Sequence, residues 1–271
     1  MSSPDARERA ELADIALAAA RELGELVRAG HRSRPRADEK AARDLVTEFD
    51  LASQELLLRR LAERAPGVPI VAEEGGSDGA RRGGLVWYVD PLDGTTNFVH
   101  GHPFWCVSVG LLLDEGPIAG AVYAPVLGNA WGGHAGAGGA AGVALRDGQP
   151  CAVSAVGDFR SAMVATGFPP QRDRAPENNF ASFEAVKRAA QAVRRCGSAA
   201  LDLCLVADGT YDGYWERRLH PWDVVAGGAL VLAAGGRVTS LGGGAPDWHT
   251  GHLVATNALI HDALLETLAR S

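Results

Sequence analysis

An α/β or α+β fold with layered sheets is predicted by two features of this chain. The hydrophobic period changes from helical to alternating at Val68, and from there helices and strands mix as far as the C-terminus. Composition supplies the core: 46% of the 271 residues are hydrophobic and 22% are charged, an ordinary globular balance. No internal repeat or low-complexity linker breaks the chain, so it reads as a single domain over residues 1–271, with a subdivision near residue 150.

The first helix is predicted from Leu12, Ile15, Ala19, Leu23 and Leu26, with Ser3-Pro4 as its start and Gly30 as its stop. A polar, basic loop over "HRSRPRADEKAARD" follows. A second amphipathic helix is read over "LVTEFDLASQELLLRRLAERAPG", closed by Pro66-Gly67. "VPIVAEE" and "LVWYVD" then read as strands, and "FWCVSVGLLLDEGPIAGAVYAP" as a hairpin turning at Asp114-Glu115-Gly116. Short strands and turns fill "GNAWGGHAGAGGAAGVAL". "SAMVATG" is a strand, and "NNFASFEAVKRAAQAV" and "SAALDLCLVADG" are helices. The last third alternates strand "YDGYWE", helix "PWDVVAGGALVLAAGG", strands "RVTSL" and "HLVATN", and helix "ALIHDALLETLAR".

A net charge of −7 disfavours nucleic acid and anionic membranes, which need basic patches. It leaves anionic small substrates open, because a bound metal reverses the sign of a site. Cys106, Cys151, Cys196 and Cys204 are scattered without a C-x-x-C pair and read as reduced thiols. The N-terminal stretch carries acids and arginines throughout, unlike a signal peptide or an anchor, so a cytoplasmic protein is expected.

The chemistry concentrates in "WYVDPLDGTTNFVHG", Trp87 to Gly101. Asp90 and Asp93 flank Pro91-Leu92 where an apolar strand ends, the usual place for ligands in α/β folds. A turn brings residues i and i+3 to one side. Gly94-Thr95-Thr96 behind them would open a short helix or nest whose free N–H groups suit phosphate. Glu73-Glu74 ends the preceding strand, and Asp223 stands at the start of an apolar helix, where an ordinary N-cap is the plain alternative. Two like charges about 4 Å apart repel by roughly 4 kcal/mol at an effective dielectric near 20. Gathering four acids would therefore use much of a typical domain stability of about 5–15 kcal/mol. Such a cluster stands only with cations inside it, and hard oxygen ligands point to Mg²⁺ or a similar ion.

Five stretches together resemble the inositol monophosphatase family: "DLVTEFD" (44–50), "AEEG" (72–75), "WYVDPLDGTTNFVHGHPFWCVSVGL" (87–111), "GSAALDLCLVADG" (197–209) and "WDVVAGGALVLAAGG" (222–236). The resemblance spans nearly the whole chain. It implies a layered αβαβα fold, a lithium-sensitive, Mg²⁺-dependent phosphomonoesterase with two or three ions (Mn²⁺ being the other candidate), and commonly a homodimer. Matched by motif, Glu73, Asp90 and the Leu92 carbonyl would hold a first metal, and Asp90, Asp93 and Asp223 a second. Asp50 and Thr95 match the pair that orients and deprotonates the attacking water, Gly94 and Thr95 the phosphate-binding amides. Gly197, Ser198, Ala199 and Glu216, with Asp93 and Asp223, match substrate contacts. Inositol 1-phosphate is the default substrate. Histidinol phosphate, fructose 1,6-bisphosphate and 3′-phosphoadenosine 5′-phosphate are the alternatives, and a non-catalytic regulatory binding protein is the other class. One departure is "RADEKAARD", where relatives carry a lysine stretch before the D-x-V-T segment and Lys40 stands shifted.

Several features read as structure. "GAGGAAG" (136–142) follows no apolar strand and opens no helix, so it is not a nucleotide loop. The pairs His100/His102 and His249/His252 fit no zinc spacing. Arg194-Arg195 and Arg217-Arg218 read as solvated faces, with the second pair near enough to the site to meet a charged group.

Overall fold

The computed structural model describes residues 3–31, 33, 37–41, 44–75, 83–114 and 116–271. Helix α1 (Ala6–Arg28) starts from a capping box, with Glu8 N–H donating to Asp5 Oδ1 and Asp5 N–H to Glu8 Oε2. Next, β1 (Ala37–Ala41) pairs antiparallel with β2 (Asp44–Thr47). This hairpin corrects two expectations, because residues 37–41 were assigned to a loop and residues 45–47 to the second helix. The β-branched Val46-Thr47 suit a strand, and Thr47 then serves as the N-cap of α2 (Glu48–Arg64). Lys40 falls on β1, and its side chain lies outside the described residues.

The larger sheet has seven strands: β3 (Ile70–Ala72), β4 (Leu85–Asp93), β5 (Cys106–Leu113), β6 (Gly116–Ala124), β7 (Asn129–His134), β8 (Val143–Arg146) and β9 (Gln149–Pro150), side by side in that order. Among the described residues, β3 and β4 pair parallel and the other neighbours in this sheet antiparallel. Short helix α3 (Thr95–Val99) sits in the β4–β5 connection. The second sheet contains β10 (Met163–Thr166), β11 (Ala192–Arg194), β12 (Gly213–Glu216), β13 (Arg237–Thr239) and β14 (Leu253–Thr256), in the order β11-β10-β12-β14-β13. Four helices complete the chain: α4 (Phe180–Ala189), α5 (Ala199–Ala207), α6 (Pro221–Ala233) and α7 (His261–Ala269). Helix α4 is shorter than expected. The backbone turns extended at Ala190, and Val193 joins β10 as part of β11, opposite Val164.

The layers run αβαβα, as expected. Helices α1 and α2 cover one face of the larger sheet, with Leu23, Val27, Leu57 and Leu61 against Trp87, Val89 and Val109. Each such buried aliphatic side chain contributes about 1.5–3 kcal/mol. Helices α5 and α6 fill the space between the sheets, where Leu201, Leu203, Val224 and Leu230 meet Val86, Tyr88 and Tyr214. Helices α4 and α7 close the far side through Val186, Leu264 and Leu268 on Trp215 and Val254. Because both of its faces are covered, β4 reads as an unbroken apolar run rather than an alternating one.

One contact sets the height of α6 above the sheet. Gly110 on β5 and Gly120 on β6 lie directly under Ala226, and a Cβ on either would overlap its backbone. Backbone therefore rests on backbone at the centre of the molecule.

Candidate active site

Strand β4 ends in a bulge. Asp90 stands opposite Ser108, but Asp93 stands opposite Cys106, so the turn at Pro91-Leu92 is squeezed out of register. Proline lacks the N–H that a regular ladder would need there. The bulge turns both carboxylates to the same side, and Leu92 N–H donates to Asp90 Oδ1 at 2.8 Å. Ser108, fully buried opposite Asp90, donates to the Trp222 carbonyl at 3.1 Å. That bond ties the start of α6, and with it Asp223, to the end of β4. The Asp223 carboxylate accepts from His220 N–H at 2.7 Å, so it occupies the third position of the helix rather than the N-cap.

Oxygens of Asp90, Asp93 and Asp223 consequently lie within 4.8 Å of one another, a group of three able to hold a metal ion. Glu73, in a 3₁₀ turn directly after β3, lines the same cavity of about 580 Å³. Burial, then the negative charges around them, raise Asp90 and Asp223 well above the ordinary carboxylate range. Burial also raises Asp93, to about 6, against the hydrogen bonds that its carboxylate accepts. These bonds come from Ser198 Oγ at 2.7 Å and Ala200 N–H at 2.8 Å. An all-oxygen donor set crowded with like charge fits a hard divalent cation.

Beside the cluster, Gly94 adopts a left-handed backbone with φ 98°, which a glycine takes without strain, and starts α3. Thr95 Oγ1 lies 3.1 Å from Asp50 Oδ1 and 3.2 Å from the Leu92 carbonyl oxygen. Asp50 is fully buried, and its other oxygen accepts from Thr47 Oγ1 at 2.5 Å and Thr47 N–H at 2.8 Å. Burial raises its pKa, against the bonds from Thr47. Asn97 then fastens α3 to the far wall, donating to the carbonyls of Phe104 at 2.6 Å and Cys196 at 2.8 Å.

That far wall begins with Gly197, whose φ is 90°, and Ser198, the N-cap of α5. The Ser198 hydroxyl is engaged by Asp93, while Ala199 opens the helix. Glu216 ends β12, with its carboxylate accepting from Tyr214 OH, and burial raises it to about 7. Gly167 leaves the room for that carboxylate, since a Cβ there would overlap both of its oxygens.

The structure thus brings Asp50, Glu73, Asp90, Leu92, Asp93, Gly94, Thr95, Gly197, Ser198, Ala199, Glu216 and Asp223 around connected cavities. It adds groups that sequence reasoning missed. Arg195, taken for a solvated face, lines the cavity, and so do Arg172, Phe168 and Phe180. Asp202 in the first turn of α5 also faces the site. Only the neighbouring G-S-A-A run could have drawn attention to Asp202. His249 and His252 border an adjoining cavity, but among the described residues only the three aspartates form a metal-type group.

The αβαβα sandwich, an acid cluster able to hold a metal ion and the likeness to known phosphatases place the chain in a class, the phosphoric monoester hydrolases. The chain belongs to the inositol monophosphatase family, whose pattern matches residues 8–271. It is 40% identical over 228 residues to the inositol-1-monophosphatase of Synechocystis, covering 84% of this chain and 78% of that protein. It is 38% identical over 265 residues to the Nus factor SuhB of Pseudomonas aeruginosa, covering 94% of each. The solved inositol monophosphatase of Anabaena superposes with a TM-score of 0.84 at 38% identity, over 96% of this chain and 95% of that one.

Proposed function

We propose that this phosphatase hydrolyses a small polyol or sugar phosphomonoester in a Mg²⁺-dependent reaction, with inositol 1-phosphate as its reference substrate. The observation that supports this reading is the convergence of Asp90, Asp93 and Asp223 beside the Asp50–Thr95 pair. Held by Glu73, Asp90, the Leu92 carbonyl, Asp93 and Asp223, two or three divalent ions would supply charge neutralisation and an acidified water, with Mn²⁺ as the alternative metal.

The chain's own groups do the rest. The single Thr95 hydroxyl proton, turned to Asp50, leaves an oxygen lone pair to orient the attacking water. Asp50, raised by burial, takes up the proton relayed through Thr95. The free amides of Gly94 and Thr95 hold phosphate oxygens. Ser198 acts through Asp93, which it orients, whereas Gly197 and Ala199 present backbone to the alcohol. Glu216 accepts hydrogen bonds from hydroxyls of that alcohol. Lithium inhibition, a homodimeric state and a cytoplasmic location belong to the same reading. Among the described residues, no helix is long and apolar enough to cross a membrane.

The test is phosphate release from inositol 1-phosphate, histidinol phosphate, fructose 1,6-bisphosphate and 3′-phosphoadenosine 5′-phosphate, with Mg²⁺, with Mn²⁺ and with a chelator. The expected outcome is the highest kcat/KM for inositol 1-phosphate, abolished by the chelator. A faster reaction with another ester would replace the substrate. Likeness to a protein named Nus factor SuhB supports a second reading, a non-catalytic regulatory binding protein, which predicts an intact fold without turnover of any ester.

A further inference from the structure

The rim of the main cavity carries the opposite charge to its floor. Asp90, Leu92 and Asp93 are buried at the floor, whereas Thr96 and Arg195 are exposed and Arg172 is half-buried, which places these at the open end. Among the described residues, neither guanidinium makes an ion pair or a hydrogen bond. Elsewhere Arg146, Arg188 and Arg237 each meet a carboxylate within 3.0 Å. The two cations at the cavity are therefore uncommitted.

Both are nevertheless carried on fastened backbone. Residues 168–178 form a loop whose two ends are sewn together. Asn179, 3% exposed, donates to the Gly167 carbonyl at 2.7 Å and to Thr166 Oγ1 at 2.8 Å, and accepts from Trp215 Nε1 at 2.8 Å. Within the loop, Arg172 N–H donates to the Pro169 carbonyl at 3.0 Å. Arg195 stands directly before Cys196, whose carbonyl is held by Asn97 at 2.8 Å. A Cβ on Gly197 would lie 2.8 Å from Arg195 Nη1, so the glycine leaves the room that this guanidinium occupies against the cavity wall.

Charge restricts what the pair can receive. The chain carries a net charge of −7, and the floor of the cavity is a cluster of acids, so a dianion is repelled on its way in. Two guanidiniums at the rim reverse that field where the ligand must pass. Their planar forks match phosphate oxygens better than an ammonium would.

We propose that Arg172 and Arg195 form an entry site for a phosphate dianion, separate from the amides of Gly94 and Thr95, which captures the ester by its phosphate and delivers it to the acid cluster. The site recognises the phosphate group and is indifferent to the alcohol, so it goes beyond the polyol reading.

The experiment measures kcat/KM for inositol 1-phosphate, histidinol phosphate and fructose 1,6-bisphosphate, and equilibrium dialysis of inorganic phosphate, each at low salt and at about 1 M salt. Arg172→Gln, Arg195→Gln and the double variant are compared with wild type and with Arg7→Gln, an exposed arginine on α1 that controls for net charge. Each single variant is expected to lower kcat/KM about threefold to tenfold at low salt, and the pair up to about a hundredfold, with kcat changed much less. Phosphate binding should weaken in parallel. At about 1 M salt, where the screening length is about 3 Å, the variants should come within about twofold of wild type. Arg172→Lys should retain most of the rate, because the charge is kept. Losses that persist unchanged at high salt, losses in kcat alone, or an equal effect of Arg7→Gln would overturn the entry site. A loss confined to fructose 1,6-bisphosphate would overturn it too, by assigning the pair to a second phosphate of the substrate. A wild type that turns over none of the esters defeats the polyol reading but not this one; dialysis then decides, and unchanged phosphate binding in the double variant overturns the site.

Discussion

Two regions of this molecule that bury ionisable groups treat them in opposite ways. At the first position of α7, His261 is fully buried against β13 and β14, bonded to Thr239 Oγ1 at 2.9 Å and Thr256 Oγ1 at 2.8 Å. Thr239 already donates its proton to the Ser240 carbonyl, so it accepts from the ring Nε2–H, while Thr256 donates to Nδ1. Both nitrogens are used, and the neutral ring needs nothing from outside. In the cleft, Asp90, Asp93 and Asp223 face one another, and burial with the surrounding negative charge raises Asp90 and Asp223. One region is a finished piece of core. The other is complete only with a partner, and that incompleteness marks the site.

Three experiments test this contrast, beginning with the largest effect. Asp93→Asn keeps the shape and the bonds from Ser198 and Ala200 in outline but removes a charge that a bound cation would face. Several kcal/mol of transition-state stabilisation should go with it, so kcat is expected to fall by about a thousandfold or more. Circular dichroism should show an unchanged fold. Wild-type rates would take Asp93 out of the reaction.

His261 should act on stability alone. Burial lowers its pKa from the ordinary 6.5 to about 4, so between those values the unfolded chain binds the extra proton. The stabilisation is present above the unfolded pKa and is lost as pH falls through the window from 6.5 towards 4. The loss amounts to up to about 3 kcal/mol. Urea melts of wild type and His261→Gln across that window should converge at low pH. Parallel curves would show that the ring titrates normally.

Thr95→Val removes the hydroxyl between Asp50 and the cleft without changing side-chain volume much. General-base assistance is worth about 10²–10⁴-fold, and a loss at the lower end is expected because water can replace the hydroxyl in part. Thr95→Ser should restore most of the rate. If valine and serine behaved alike in a phosphate-release assay, the hydroxyl would have no role.

How much of this was legible in the sequence follows from the same contrast. Asp90 through Thr95 is a local device: a strand end, a proline, a bulge and a left-handed glycine lie within six consecutive positions, and each residue type states its purpose. Strand β4 and helix α6 were readable because long apolar runs bounded by Asp, Gly and Pro allow few alternatives. The other half of the pocket is assembled from Gly167, Arg195, Asp202 and Glu216, which meet only when β10, α5 and β12 have packed. No local pattern distinguishes Arg195 from Arg194 beside it, yet one lines the cavity and the other does not. The β1–β2 hairpin was missed for a related reason. Its polar, charged sequence lacks the alternation that announces a strand, and pairing alone defines it.

The glycines under Ala226 have a consequence for selectivity. Since the α6 backbone rests directly on β5 and β6, the gap between the carboxylates of Asp223 and Asp90 is cut by the absence of two methyl groups. Main-chain contact is far stiffer than a layer of side chains that can change rotamer, so the jaw formed by strand and helix has a set opening. A jaw of that kind would discriminate a bound ion by radius, and its calibration would sit at Ala226, one turn of α6 beyond Asp223.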